Sequence, residues 1–191
     1  MEQPERDDLI TVEEYLEGER QAEVRHEFMG GQTYAMVGGT DRHNRIAGNL
    51  YVALHSEARR NGCGLFMADM KVRLSVAGED AFYYPDLMVA CDQSDDQPYY
   101  RTAPCLLLEV LSSSTQRIDR REKLYAYTTI PTLREYMVVA QNEPRVEIHR
   151  READRWVTRT VRDQGSVDIR CLDAAVNLET IYADLPPPRE E

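Results

Sequence analysis

The apolar positions of this chain change period several times, and each change marks a new element. Between His43 and Gly62, the residues Ile46, Leu50, Ala53 and Leu54 recur at intervals that line one side of a long helix, and Asn61-Gly62 ends it. Upstream, TVEEYLEG (11–18) predicts a short helix in which Thr11 caps, Glu14 completes a capping box and Gly18 stops. Gly30-Gly31 predicts a turn between two short strands. GLFMADMKVRLSV (64–76), FYYPDLMVAC (82–91) and CLLLEVLS (105–112) read as strands. Helical chemistry returns in SSSTQRIDRREKLYAYTTI (112–130), with Ser114 or Thr115 as cap and Pro131 just past the end. LREYMVVA (133–140), RVEIHRRE (145–152), RWVTRTV (155–161) and SVDIRCL (166–172) follow as strands, and CLDAAVNLETIYADL (171–185) as a short helix. The succession predicts an α/β protein with a mixed central β-sheet flanked by helices, not a repeating βαβ fold. No Gly-rich loop follows a strand, so nucleotide binding has no support.

The composition, 42% hydrophobic over 191 residues, fits one domain over 1–185 with a disordered tail, PPPREE, over 186–191. No apolar run approaches the roughly 20 residues that span a bilayer, so no membrane partner is expected. The acidic N-terminus is unlike a signal peptide. Cys63, Cys91, Cys105 and Cys171 form no C-x-x-C pair, which favours reduced thiols and a cytoplasmic location over a zinc site or disulfide framework. A net charge of -11 argues against bulk electrostatic coating of nucleic acid. Arginine is nevertheless concentrated late, from Arg117, Arg120 and Arg121 to Arg162, as a local basic patch or as solvated faces.

Two carboxylates stand out. Asp86 opens an apolar run after Pro85, and Glu109 lies inside LLLEVL, where an acid is seldom buried without a partner. If these runs are neighbouring antiparallel strands, opposed residue numbers share one sum, and the sum of 195 for Asp86 and Glu109 centres the hairpin near Gln97–Pro98, in its polar connection. That register sets the two acids on one face, roughly 5 Å apart. A one-residue slip would separate them. Paired carboxylates in a dry place repel, and a divalent cation offsets this. The plainer alternative is that Asp86 caps a turn and Glu109 pairs with an arginine. The only lysines are Lys71 and Lys123. Lys123, on the helix after the Glu109 strand, either pairs with Asp119 at the surface or turns toward the acids to orient water and stabilise phosphate charge.

PD at 85–86, EVLSSST at 109–115, Asp119 and Lys123, Tyr125 or Tyr127, and LREYMVV at 133–139 resemble, in this order, the Uma-two family of restriction-endonuclease-like proteins in the PD-(D/E)XK nuclease superfamily. EEYLEGER, RHEFMGGQTYAM, HNRIAGNLYVAL and LDAAVNLETIY extend the likeness over most of residues 8–182. The resemblance implies a restriction-endonuclease-like core and Mg²⁺- or Mn²⁺-dependent hydrolysis of nucleic-acid phosphodiesters, with DNA as the expected partner and a homodimer as one assembly. Carried over, Asp86 and Glu109 are metal ligands, Lys123 is the catalytic lysine and Glu27 is an additional ligand. His43 matches a position at the start of the long helix, as a cap or a phosphate contact, and Arg117 and Arg120 are expected to contact substrate. Two departures bear on this. The superfamily places lysine two residues after the acid, where this chain has Leu111, and Ser113 stands where proline is usual. Asp69-Met70-Lys71 spells D-x-K but precedes Pro85-Asp86. The competing expectation is a catalytically silent nuclease fold kept for binding or dimerisation, with LREYMVVA or the arginine-rich strands as a pairing edge.

Overall fold

A computed structural model of the chain describes residues 9–36, 38–111 and 119–186, the side chains of residues 119 and 120 excepted. In chain order the elements are α1 (Val12–Gln21), β1 (His26–Met29), β2 (Gln32–Ala35), α2 (Asp41–Arg60), β3 (Gly64–Met67), β4 (Lys71–Val76), β5 (Glu79–Tyr83), β6 (Leu87–Ala90) and β7 (Tyr100–Arg101). They continue with β8 (Pro104–Leu111), α3 (Asp119–Thr128), β9 (Glu135–Ala140), β10 (Arg145–Glu152), β11 (Arg155–Arg162), β12 (Ser166–Ile169), β13 (Ala174–Asn177) and α4 (Leu178–Ile181). The helix cap expected at Ser114 or Thr115, Arg117, and the tail from residue 187 lie outside the described residues.

The central sheet has six strands in the order β11-β10-β9-β8-β6-β3, and only its β8–β9 pair is parallel. The mixed sheet flanked by helices is therefore present. A second sheet, β2-β1-β5-β4-β7, was not expected. It arises because two runs read as single strands are each cut in two. GLFMADMKVRLSV divides into β3 and β4, and FYYPDLMVAC into β5 and β6, with one half of each in each sheet. Pro85 cannot donate to a ladder, so the chain leaves β5 there and enters the other sheet at Leu87. In the other break, Ala68 takes a left-handed φ of 48°.

One core lies between the central sheet and α2, α4 and the β12–β13 hairpin, built on Ile46, Leu50, Leu54, Leu108 and Val139. A second fills the space between the two sheets and α3, with Val72, Tyr83, Met88, Leu107, Tyr127 and Tyr136. Tyr15 of α1 stacks on Phe28 against the outer face of the smaller sheet. β8 is buried along its whole length, between β6 and β9 and between both cores, which explains its unbroken apolar run.

Several local readings are corrected. The Thr11–Glu14 capping box forms, but Gly18 does not end α1, which runs to Gln21 because Glu19 in its last turn is buried and anchored. α2 starts at Asp41, capped by Thr40. SVDIRCL ends as a strand at Ile169 and turns into a short 3-10 helix, and CLDAAVNLETIYADL begins with β13 before its single helical turn. LREYMVVA is not an edge: β9 lies between β8 and β10, and β11 is the arginine-bearing edge. Cys63 and Cys91 form a disulfide, whereas Cys105 and Cys171 are free. Antiparallel pairing of Gly64 with Ala90 places the two bonded cysteines opposite one another just beyond it, a proximity that chain separation hides. The reduced-thiol argument for the cytoplasm does not hold at this pair. Among the described residues no helix is long and apolar enough to cross a membrane.

Candidate active site

β6 and β8 pair through Leu87↔Leu108, Met88↔Leu107 and Val89↔Leu106, each with the sum of 195 read from the hairpin. Asp86 precedes β6 in that register, so its side chain leaves the sheet on the same face as Glu109. The carbonyl of Asp86 accepts the Ala68 N–H at 3.2 Å, fixing the crossover between sheets. Its Oδ2 accepts the Val110 N–H at 2.6 Å and lies 3.1 Å from His43 Nε2. His43 sits in the first turn of α2, where Thr40 Oγ1 accepts its N–H. Gly39 permits this approach, since a Cβ there would lie 2.7 Å from His43 Nδ1. The hydrogen bond to Asp86 raises the His43 pKa above the ordinary histidine value, more than burial lowers it.

α3 brings Lys123 and Tyr127, one helical turn apart, to Glu109. Lys123 Nζ is 3.1 Å from Glu109 Oε1 and 3.0 Å from Glu27 Oε1, and the Tyr127 hydroxyl donates to Glu109 Oε1 at 2.7 Å. The ammonium also lies 5.7 Å from the Tyr83 ring centroid. Burial works against the Lys123 charge, but Glu109 and Glu27 more than offset it, so the pKa rises above the usual lysine value. At Glu109, burial dominates, and Asp86 and Glu27 add to it against Lys123 and Tyr127, pushing the carboxyl up to about 7. The side chain of Lys123 thus turns inward, away from the surface pairing considered for Asp119, whose own side chain is outside the described residues. Glu27 lies on β1, and its Oε1 accepts the Tyr84 N–H at 3.4 Å, the amide freed where β5 ends.

Asp86, Glu109, Glu27, Lys123 and His43 therefore converge. Arg117 lies outside the described residues, and Arg120 is in α3 without a described side chain. Of the two candidate tyrosines, Tyr127 is fully buried against Glu109 and Tyr125 is exposed. The i, i+4 spacing from Lys123 to Tyr127 was the available signal for that pairing. Sequence reasoning missed the contact of His43 with Asp86 and the buried Glu19 behind the site.

Among the described residues no three His, Cys, Asp or Glu side chains close into a preformed metal cage. The donor chemistry still suits a hard divalent cation, because Mg²⁺ commonly takes one or two carboxylates and completes its shell with water and phosphate. Among the described residues, the hydrogen bonds of the two acids run through Asp86 Oδ2 and Glu109 Oε1. Glu109 is raised first by its burial, and the neighbouring Asp86 and Glu27 add to this, so a cation placed against these acids would relieve both the lost hydration and the repulsion.

The fold is shared with a solved protein described as a putative nuclease. The chain superposes with a TM-score of 0.72 on the crystal structure of a putative nuclease belonging to DUF820 from Anabaena variabilis, covering 91% of this chain and 98% of that one at 14% identity, a likeness of fold. The Uma2 family profile, described as "Putative restriction endonuclease", matches residues 12–180, and the chain belongs to that family. Two uncharacterized Synechocystis proteins are related in sequence. One, sll1609, is 35% identical over 78% of this chain and 85% of its own length. The other, slr1290, is 28% identical over 92% and 93%.

Proposed function

We propose that this chain is a metal-dependent endonuclease that hydrolyses phosphodiester bonds, with DNA as substrate and Mg²⁺ or Mn²⁺ held by Asp86 and Glu109. The carrying observation is the approach of Lys123 to Glu109 and Glu27, at 3.1 and 3.0 Å, beside an Asp86 already in register with Glu109. When bound, a divalent cation polarises a phosphoryl oxygen and lowers the pKa of a coordinated water. Glu27 serves as a further ligand or holds the lysine. Lys123, with its raised pKa, stays an ammonium at neutral pH. It therefore acts by charge and orientation on the phosphate and its attacking water, not as a base. Imidazolium character is favoured at His43, which can then donate to a phosphate oxygen at the N-terminal turn of α2. Arg117 and Arg120 belong to the same proposal as substrate contacts, and the exposed β11 edge as the contact of a homodimer.

Cleavage of supercoiled DNA in Mg²⁺ or Mn²⁺ is expected to vanish in Asp86→Ala and Glu109→Ala proteins that remain folded. Cleavage surviving both substitutions would come from another protein and would remove the reading's support. A second reading, a silent binding module, is favoured by Leu111 at the usual lysine position and by the net charge of -11. Calorimetric titration with Mn²⁺ separates the two, because uptake that depends on Asp86 and Glu109 counts against silence.

A further inference from the structure

Behind the acids lies a second buried polar cluster that the chemistry above does not use. Glu19, in the last turn of α1, has a side chain only 3% exposed. Its Oε1 accepts the backbone N–H of His26 at 3.2 Å and lies 2.9 Å from His26 Nδ1. Its Oε2 accepts the Tyr84 hydroxyl at 2.6 Å. Lys71, also buried, donates to the same tyrosine oxygen at 3.1 Å and is a nearby counter-charge. Tyr15, one turn earlier on α1, donates its hydroxyl to the His26 carbonyl at 2.7 Å. α1 thus holds both the N–H and the C=O of the residue before Glu27. Through Tyr84 it also holds the segment two residues before Asp86, while the Tyr84 N–H reaches Glu27 itself.

Burying a carboxylate is costly, and a carboxylate serving only helix packing would be replaced at no loss by an apolar side chain. What an apolar residue cannot do is tie two backbone segments together with charge-assisted hydrogen bonds. We propose that Glu19 is a positioning residue of the active site: it ties α1 to the two segments bearing Glu27 and Asp86, with Lys71 as counter-charge, and so sets the affinity of those acids for a divalent cation. This rests on the nuclease reading above. It also accounts for the D-x-K at Asp69–Lys71, whose lysine supports the frame instead of touching the substrate.

The test is Mn²⁺ affinity by calorimetry, paired with melting temperature, on folded full-length variants. Glu19→Ala weakens Mn²⁺ binding by about ten- to a hundredfold, the usual effect of removing a partner behind a metal ligand. Glu19→Gln recovers only part of the loss, because its amide keeps one acceptor oxygen, for the His26 N–H or the Tyr84 hydroxyl, and no charge toward Lys71. The control is Glu135→Ala. Glu135 is an equally buried acid paired with Arg150 at 2.9 Å on the opposite face of the central sheet, so its loss lowers the melting temperature and leaves Mn²⁺ affinity unchanged. If Glu19→Ala does not fold, Tyr84→Phe carries the test, since it removes only the hydroxyl joining Glu19 to the Asp86 segment, and about tenfold weaker binding is expected. Unchanged affinity in Glu19→Ala or Tyr84→Phe, or an equal loss in Glu135→Ala, overturns the positioning role alone. Wild-type protein that binds no Mn²⁺ overturns both this role and the metal-dependent reading.

Discussion

Replacing Glu109 by glutamine removes the acid whose ionisation the fold opposes most visibly. Its pKa rises from 4.5 to about 7, because burial and the neighbouring Asp86 and Glu27 outweigh Lys123 and Tyr127. The folded protein therefore holds the Glu109 proton more tightly than the unfolded chain, and stability falls as pH rises between these values. At roughly 1.4 kcal/mol per pKa unit, the loss across that window is about 3 kcal/mol. For a chain of this size, that corresponds to roughly 6–12 °C in melting temperature. The assay is thermal unfolding of wild type and Glu109→Gln from pH 4 to 8 with chelator present. His43 carries a raised pKa in both proteins. Its contribution, present below the ordinary histidine value and lost as pH climbs through the folded one, appears in both curves and largely cancels in their difference. Wild type should lose stability relative to the variant as pH rises from about 4.5 to 7, and Mn²⁺ should restore much of it by compensating the ionised carboxylate. Parallel curves in chelator would refute the argument, since they would mean that Glu109 ionises without cost.

Lys123→Met leaves Glu27 and Glu109 without the ammonium at 3.0 and 3.1 Å. Cleavage is expected to drop by about 10²–10³-fold, and stability at pH 8 by about 3 kcal/mol, with a smaller loss at pH 5 where the acids take up protons; plasmid nicking and melting curves at both pH values check this. Tyr127→Phe deletes the hydroxyl donating to Glu109 at 2.7 Å. It should cost about 1–3 kcal/mol in denaturant unfolding and move the Glu109-linked stability loss to still higher pH. Under denaturing, non-reducing conditions, alkylation should label Cys105 and Cys171 and spare Cys63 and Cys91, as mass spectrometry would read. Reducing the 28-residue link should lower stability by about 3–4 kcal/mol on the loop-entropy account.

How far the sequence carried depended on whether a feature was local or needed a partner. The β6–β8 register was legible because the polar connection and two apolar runs leave one balanced pairing, and it delivered Asp86 beside Glu109. The mixed sheet flanked by helices and the long helix were legible from apolar period. The second sheet was not, because a two-sheet crossover at Tyr84–Asp86 looks like one strand until the pairing partner of each half is known. The proline was the local clue. Whether Lys123 faces Asp119 or Glu109 could not be decided by spacing, since both lie within reach of a helix whose rotation depends on the inter-sheet core holding Tyr127 and Tyr136. The Cys63–Cys91 bond and the Glu19 cluster share that property. Each joins segments whose closeness is created only when β3 meets β6, or α1 meets β1 and Tyr84.

The central claim is that Asp86 and Glu109 hold a divalent cation beside the Lys123 ammonium. Anomalous diffraction from crystals soaked in Mn²⁺ tests it most directly. A single strong peak about 2–2.5 Å from oxygens of both acids, with Lys123 still at the site, is the predicted result. A protein that cleaves DNA in Mn²⁺ yet shows its peak elsewhere, or none near these two carboxylates, would contradict it.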